Sequence, residues 1–580
     1  MRRGMTSAGR RKGRGFRRLL GFCVCIGIMA GAWAGYQLLM PSNEQETPVF
    51  SVEHPLFYKG EFMGAGALLE GDEIKLPIEA VTSMLGSEIP IRYEADSESI
   101  ILTNGSQVLR MKTDTLTAKL GSKPFKLAVA PETRKGIVYV PLTPLNTLYG
   151  VQAQVSKVTG AVTLAKGGDS IQYAIPGKKE LAVRNGPSIH SPYIEKVPLE
   201  GRLTVWKEEG DWYSVQGPSG YSGYARKSEL RLSDKQTTQE PVEQQPELAW
   251  KSTGQKINLT WEAVYNVAPD PAKFPAMEGV NVVSPTWFEL MDGAGQIRSK
   301  ADANYAKWAR SKGIQVWALF SNGFDPERTT QALANVETRF SMIQQLLAYA
   351  KMYQLQGINI DFENVRTSDK GALVQFVREL TPMLHEQGLV VSIDVTPKSN
   401  SEMWSLFLDR AELIQSVDYM MLMAYDEHWA SSPESGSVAS LPWVENSILR
   451  LLEEDKIPGS KLILSMPLYT RIWTEKTGSD GSVKVSSKAV GMNKIRELIA
   501  TNKLKPEFDP STGQNYVQYP VEGGLNRIWI EDKVSLEARI ALVHKYGLAG
   551  VATWSRSFQA DDVWSVITTA SAIHLDSRTI

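Results

Sequence analysis

The chain of 580 residues has only two cysteines and six histidines. Both cysteines, Cys23 and Cys25, lie inside one apolar run near the N-terminus, so everything beyond Met40 is free of thiols. That excludes disulfide staples and thiolate chemistry from the larger part of the protein. The histidines (His54, His190, His385, His428, His544 and His574) are scattered and show no ligand spacing, so no metal site and no cofactor is expected. Net charge is also low, at −1. Residues 1–18 nevertheless hold eight Arg or Lys and no acid, which leaves the remainder at −9. A chain this acidic beyond its first segment does not read as a nucleic-acid binder.

Residues 19–40 carry no charge, and Gln37 is their only amide. Such a run is long enough to span a bilayer. The basic segment before it puts that end in the cytoplasm and the rest outside. The expectation is a single-pass signal anchor of a bacterial membrane, with residues 1–18 as a basic cytoplasmic segment. The alternative is secretion after cleavage near Ala34, where Ala32-Trp33-Ala34 offers a small-x-small site.

The length calls for several domains. After a short polar connector, residues 53–167 contain an internal repeat: "LPIEAVTSMLG" at 76–86 returns as "VPLTPLNTLYG" at 140–150. Each copy has an apolar-Pro step, apolar residues at helical spacing and a terminal Gly. Each is followed by a two-strand turn, "IRYEADSESIIL" and "VQAQVSKVTGAVTL". The repeat resembles the copper-amine-oxidase N-terminal-like domain of bacterial envelope proteins. With His54 alone it has no ligand set, and a structural or wall-contacting spacer is the reading for it. Residues 168–232 are short strands with turns, and "LAVRNGPS", "GDWYSVQ" and "GYSGYARKSEL" resemble a bacterial SH3-like domain. Its Trp212, Tyr213, Tyr221 and Tyr224 fit either a ligand groove or the core of a small barrel. Residues 233–250, rich in Gln, Glu, Thr and Pro, read as a linker.

From residue 251 to 572 strand-like and helix-like segments alternate. Eight strands are expected, at 257–264, 279–288, 314–321, 357–363, 389–396, 417–426, 461–469 and 547–555. Eight β/α units of this length predict an α/β fold, a (β/α)8 TIM barrel, with the chemistry at the C-terminal ends of the strands. A small α+β insertion is expected at about 470–532, before the last strand. The whole is then a barrel preceded by two small β-rich domains and an N-terminal transmembrane helix.

Polar side chains gather at the expected strand ends. "GINIDFEN" places Asn359, Asp361 and Glu363 on one strand face, because alternation has period two. On a regular strand, the Cα atoms of Asp361 and Glu363 are about 6.5–7 Å apart. Two carboxylates so close repel, and one keeps its proton to higher pH. A protonated carboxyl near neutrality is what a general acid needs. The sixth strand brings Tyr425 and Asp426, followed by Glu427, His428 and Trp429, and the eighth brings Trp554. Trp261, Trp287, Trp317 and Tyr469 stand at other strands. Acids ringed by aromatics suit a carbohydrate, whose flat C–H faces pack on rings. These residues give a carboxyl dyad and a sugar-shaped pocket, not a particular substrate.

"LQGINIDFEN" resembles the signature strand of glycoside hydrolase family 18, Asp-Gly-x-Asp-x-Asp-x-Glu. Gly357, Asp361 and Glu363 match, while Gln356 and Asn359 replace the first and middle Asp. "MLMAYDEHW" and "GVATWS" agree, and "YDEHW" with "VASLPWVE" is similar to the spore-associated branch that acts on peptidoglycan. The resemblance implies substrate-assisted, retaining cleavage of β-1,4 N-acetylglucosaminyl bonds. Glu363 would be acid and then base, Asp361 would steer the acetamide, and Tyr425 would bind its oxygen. Trp554 would floor the subsite of the reacting sugar. Asp426, Trp287, Trp429 and Tyr469 are further substrate-binding candidates, and Asn359 is expected to support Asp361. The expected partner is a polysaccharide: cell-wall or spore-cortex peptidoglycan, or chitin. A catalytically weak glycan-binding protein on the same barrel is the reading from a different class.

Overall fold

The computed structural model describes residues 14–86, 91–177, 179–241, 255–266, 269–478 and 481–572. They form two compact units: Met1–Glu88 with Leu127–Pro241, and Ile89–Lys126 with Val242–Ile580.

In the first unit a helix, Arg14–Leu39, covers the apolar run, with Phe22, Ile28, Met29 and Trp33 exposed on it. Side chains at 14–20, 24, 34, 37 and 38 lie outside the described residues, as do residues 1–13. Among the described residues, no helix is long and apolar enough to cross a membrane. The transmembrane helix expected over 19–40 is therefore not found among the described residues.

The sequence repeat is a structural one. Each copy is a strand running into a helix, Glu73–Pro77 with Ile78–Leu85 and Ile137–Pro141 with Leu142–Tyr149. The two strands pair antiparallel, Val140 opposite Leu76. The SH3-like segment forms a seven-stranded sheet with Leu181, Val183, Val197, Leu203, Val215 and Ala225 as its core. Tyr213 packs on that core, and the Tyr221 ring lies 5.2 Å from Phe50. These two aromatics are packing residues. The linker starts later than expected, because Leu230–Thr237 is a strand paired with Ser170–Pro176. Residues 242–250 of that linker lie outside the described residues.

In the second unit all eight expected strands form. They are β1 (Ile257–Glu262), β2 (Val282–Pro285), β3 (Gln315–Ser321), β4 (Gly357–Asp361), β5 (Val390–Val395), β6 (Tyr419–Met423), β7 (Leu462–Pro467) and β8 (Gly550–Trp554). Each pairs in parallel with its neighbour; β1–β8 and β2–β3 contacts close the barrel. Alternation explains both faces. Ile358, Ile360, Val391 and Ile393 point outward into the layer shared with the helices. Leu259, Trp317, Leu319, Val390 and Met421 fill the interior, where Trp317 stacks on Tyr419 at 5.7 Å. Gly357 is required here: a Cβ would fall 2.7 Å from the Trp317 ring. Several helices start on side-chain caps; Asn335 accepts from Thr338 N at 3.0 Å to open Val336–Tyr353.

The expected insertion is present. Five antiparallel strands between Tyr469 and Ile530, with the helix Met492–Thr501, form a separate small core around Ile495, Val517, Ile528 and Ile530. The second unit also holds a five-stranded meander, from Ile91–Glu94 to Lys123–Lys126, drawn from what reads in sequence as the 53–167 domain. Its Ile101 and Val108 join the core cluster of the barrel.

Candidate active site

At the C-terminal ends of the strands lies a cavity of about 940 Å³. Asp361 ends β4 and Glu363 follows two residues later; both line the cavity. Asn322 fixes this turn from both sides: its Nδ2 donates to Glu363 O at 2.7 Å, and its Oδ1 accepts from Glu363 N at 3.1 Å. Tyr425, Asp426 and Trp429 come from the loop after β6, Tyr469 from the strand after β7, and Trp554 from the end of β8. Trp261 lines the wall beside Trp554, their ring centroids 5.9 Å apart. Asp426 adopts φ 59°, a left-handed turn that Asp tolerates better than most residues and that reverses the chain directly after Tyr425.

Two expected site residues are not at the cavity. Trp287 is fully buried behind the barrel wall, 5.6 Å from Tyr305. β2 ends at Pro285, before Trp287, so this ring enters the core between strand and helix. Asn359 is also fully buried, one layer below the cavity. Its amide does not serve Asp361. Nδ2 donates to Asp394 Oδ2 at 2.7 Å, and Oδ1 accepts from the Ser392 hydroxyl at 2.7 Å.

Asp394 is the residue that sequence reasoning missed. It lies on β5, faces inward and lines the cavity. The signal was available, since Ser392 and Asp394 in "VVSIDV" alternate as Asn359 and Asp361 do. Phe324, Trp404, Trp443 and Lys398 also line the cavity without having been singled out. Phe324 comes from a turn and Trp404 from the short helix Glu402–Leu406, where no strand period marks an aromatic as functional; their rings lie 6.3 Å apart and both are exposed.

The electrostatics follow from burial. The Asp361 carboxyl is pushed up to about 7 by desolvation. Glu363 is held well above the usual carboxylate range by burial, then by the negative charges of Asp361 and Asp426. Asp394 is raised by burial and by Asp361 and Glu363, against the pull of the Asn359 hydrogen bond. Such a cluster keeps at least one proton near neutrality, as acid catalysis requires. Among the described residues there is no group of histidine, cysteine or carboxylate side chains suited to hold a metal ion.

A parallel eight-stranded barrel with a proton-retaining carboxyl pair on its open face, walled by tryptophan and tyrosine, has the layout that glycoside cleavage requires. The chain carries a glycosyl hydrolases family 18 domain over residues 274–559 and is a glycosyl hydrolase of that family. It also carries a copper amine oxidase N-terminal domain over 60–164 and a bacterial SH3 domain over 179–231. A glycosylase of Bacillus subtilis (strain 168), YvbX, is 28% identical over 286 residues, covering 47% of this chain and 80% of that one. The cortical fragment-lytic enzyme of the same organism is 25% identical over 240 residues, 40% of this chain and 54% of its own length. The chain thus spans about half of that relative. The spore cortex-lytic enzyme SleL of Bacillus megaterium QM B1551 superposes with a TM-score of 0.48 at 21% identity, covering 55% of this chain and 75% of that structure.

Proposed function

We propose that this protein hydrolyses β-1,4 N-acetylglucosaminyl bonds of peptidoglycan, in cell wall or spore cortex, by retaining, substrate-assisted catalysis. The observation that carries the reading is the pairing of a half-buried, proton-retaining Glu363, in the turn after β4, with Asp361 at the end of β4, inside an aromatic-walled cavity. Glu363 donates its proton to the leaving glycosidic oxygen. The acetamido oxygen of the substrate attacks the anomeric carbon, and an oxazolinium ion forms. Asp361 accepts a hydrogen bond from the acetamide N–H and offsets the developing positive charge, while the Tyr425 hydroxyl binds the acetamide oxygen. Glu363, now ionised, takes a proton from water, which opens the oxazolinium with retention. Trp554 and Trp261 offer rings for the reacting sugar, and Trp429, Phe324 and Trp404 extend the aromatic surface for a chain-shaped polymer.

Peptidoglycan is favoured over chitin by the similarity to the cortical fragment-lytic enzyme and by the SH3 domain beside the catalytic one. We place the enzyme outside the cell membrane, held by residues 19–40 with the basic segment inside. That placement rests on the charge pattern of the sequence and on the exposed apolar side chains of the helix Arg14–Leu39. Fractionation of cells producing the full chain, with protease added outside, tests it: release into the medium overturns it.

Product analysis tests the activity. The protein is incubated with vegetative peptidoglycan, spore cortex and chitin side by side, and products are identified by mass spectrometry. Muropeptides with reducing N-acetylglucosamine ends are expected from peptidoglycan or cortex. Chitooligosaccharides alone would make it a chitinase. Glu363→Gln should lower turnover by about 10²–10⁴-fold with the fold intact. Binding without turnover by the unaltered protein would make it a glycan-binding protein.

A further inference from the structure

In the hydrolase just proposed, Asp361 must be negatively charged to receive the acetamide N–H, yet it sits in a cluster of acids. Its strand neighbour is the key. The β4–β5 register pairs Asn359 with Ser392 and Ile360 with Ile393. One step further, Asp361 and Asp394 stand side by side on adjacent parallel strands, both facing the barrel interior. Adjacent strands are about 4.8 Å apart. Asp361 Oδ1 and Asp394 Oδ1 are both buried, and neither has a hydrogen-bond partner among the described residues. Asp394 itself is only 3% exposed. Two buried carboxylates at this spacing cannot both ionise. A single proton held between the two carboxyls would satisfy both orphaned oxygens.

We propose that Asp394 is the positioning residue for Asp361: it holds one proton on Oδ1 and donates it as a hydrogen bond to Asp361, so that the pair carries a single negative charge, on Asp361. Asn359 decides which oxygen carries the proton. Its Oδ1 accepts from the Ser392 hydroxyl and its Nδ2 donates to Asp394 Oδ2, which leaves Oδ1 of Asp394 for the proton. In that arrangement an aspartate at 359 would meet Asp394 Oδ2 with a second acceptor, and asparagine is the residue the network needs. The titratable groups facing this pair are Glu363 from the turn after β4, Tyr425 and Asp426 after β6, and Tyr469 after β7. Asp426 is matched by Arg471 at 2.8 Å, and Lys398 on the rim is held by Glu454 and Asp455. No cation reaches Asp361 or Asp394 among the described residues, so a proton is what remains to lower their charge. The raised proton affinity of both carboxyls, caused first by burial, agrees with this.

The first test needs no substrate. Infrared difference spectra of each variant against the unaltered full chain are taken near neutral pH, where each neutral carboxyl contributes a carbonyl band. Glu363→Gln should remove one such band and Asp394→Asn another. If Asp394→Asn removes none, the proposal falls, whatever the enzyme cleaves. The second test is kinetic. Asp394→Asn keeps an N–H donor toward Asp361 and should retain turnover within about threefold. Asp394→Ala removes the donor and should lose about tenfold or more. In the alanine variant the buried Asp361 carboxylate has no donor, so the acidic limb of the rate profile should move to higher pH. Equal behaviour of the two variants, or a wild-type profile in Asp394→Ala, overturns the proposal. If the unaltered protein degrades none of the polymers, the hydrolase reading fails, and the infrared pair still decides the shared proton.

Discussion

Tyr469 donates its phenolic hydrogen to Asp426 Oδ1 at 2.6 Å, and Arg471 donates to the same oxygen at 2.8 Å. One carboxylate oxygen thus collects two donors from the strand after β7. Asp426 is thereby fixed as a charge facing Glu363, whose proton affinity it raises. A general acid works while protonated, and activity is lost as pH rises through its pKa. Asp426→Asn removes the negative neighbour and lowers the Glu363 pKa. The basic limb of kcat/KM against pH should therefore shift to lower pH. A limb that stays in place would mean that Asp426 does not act on Glu363.

The same burial has a consequence for stability. Glu363 and Asp361 have folded-state pKa values above those of the unfolded chain, near 4. At pH below both values the group is protonated in either state and contributes nothing. As pH rises past the unfolded pKa, the unfolded chain ionises freely while the folded site resists, so stability is lost. Glu363→Gln removes that penalty. Its melting temperature should exceed the wild type near neutral pH, and the gap should close toward pH ~4. A gap that widens in acid would reverse the sign of the assigned shift.

The barrel was legible because periodicity and turn residues act locally. All eight strands lie within the segments expected for them. Asp361 and Glu363 were legible for a related reason: a carboxylate pair at period two has few structural uses. Lateral neighbours were not legible. The face of Asn359 follows from its own strand, but its partner follows from the β4–β5 register, which places Ser392 opposite it and Asp394 within reach. Asn359 was thus assigned to the wrong aspartate, and Asp394 was passed over. Trp287 failed differently. An aromatic at a strand end looks alike whether it points to the cavity or the core, and the early end of β2 at Pro285 decides.

Trp287 and Trp429 should therefore respond in opposite ways. Trp287 is fully buried, and Trp287→Ala should cost about 3–5 kcal/mol of stability. The remaining folded protein should keep its KM. Trp429 is 53% exposed on the cavity rim. Trp429→Ala should leave the melting temperature nearly unchanged and raise KM for a polymer about fivefold, for ~1 kcal/mol of lost ring contact. Denaturant unfolding and kinetics on both variants check this, and a raised KM in the Trp287 variant would return that ring to the substrate.

The last expectation concerns Arg339, a fully buried side chain on the helix Val336–Tyr353. Glu379 accepts from its Nε at 3.0 Å and its Nη2 at 2.8 Å. Glu94, from the first strand of the 91–126 meander, accepts from Nη2 at 2.6 Å and from the backbone N–H of Val336 at 2.7 Å. The Arg110 guanidinium lies 3.3 Å from the centre of the neighbouring Phe340 ring. A buried cation sharing two carboxylates loses more when it is removed than when one partner is lost. Arg339→Ala leaves Glu379 buried without its ion-pair partner and should cost about 3–5 kcal/mol. Glu94→Ala leaves the Glu379 fork in place and should cost about 1–3 kcal/mol. Both should lower the urea midpoint followed by tryptophan fluorescence. A chain beginning at residue 255 loses Glu94 together with Ile101 and Val108, so its barrel should unfold at lower urea than Glu94→Ala does. Equal midpoints for that chain and the intact protein would mean that the meander adds nothing to the barrel.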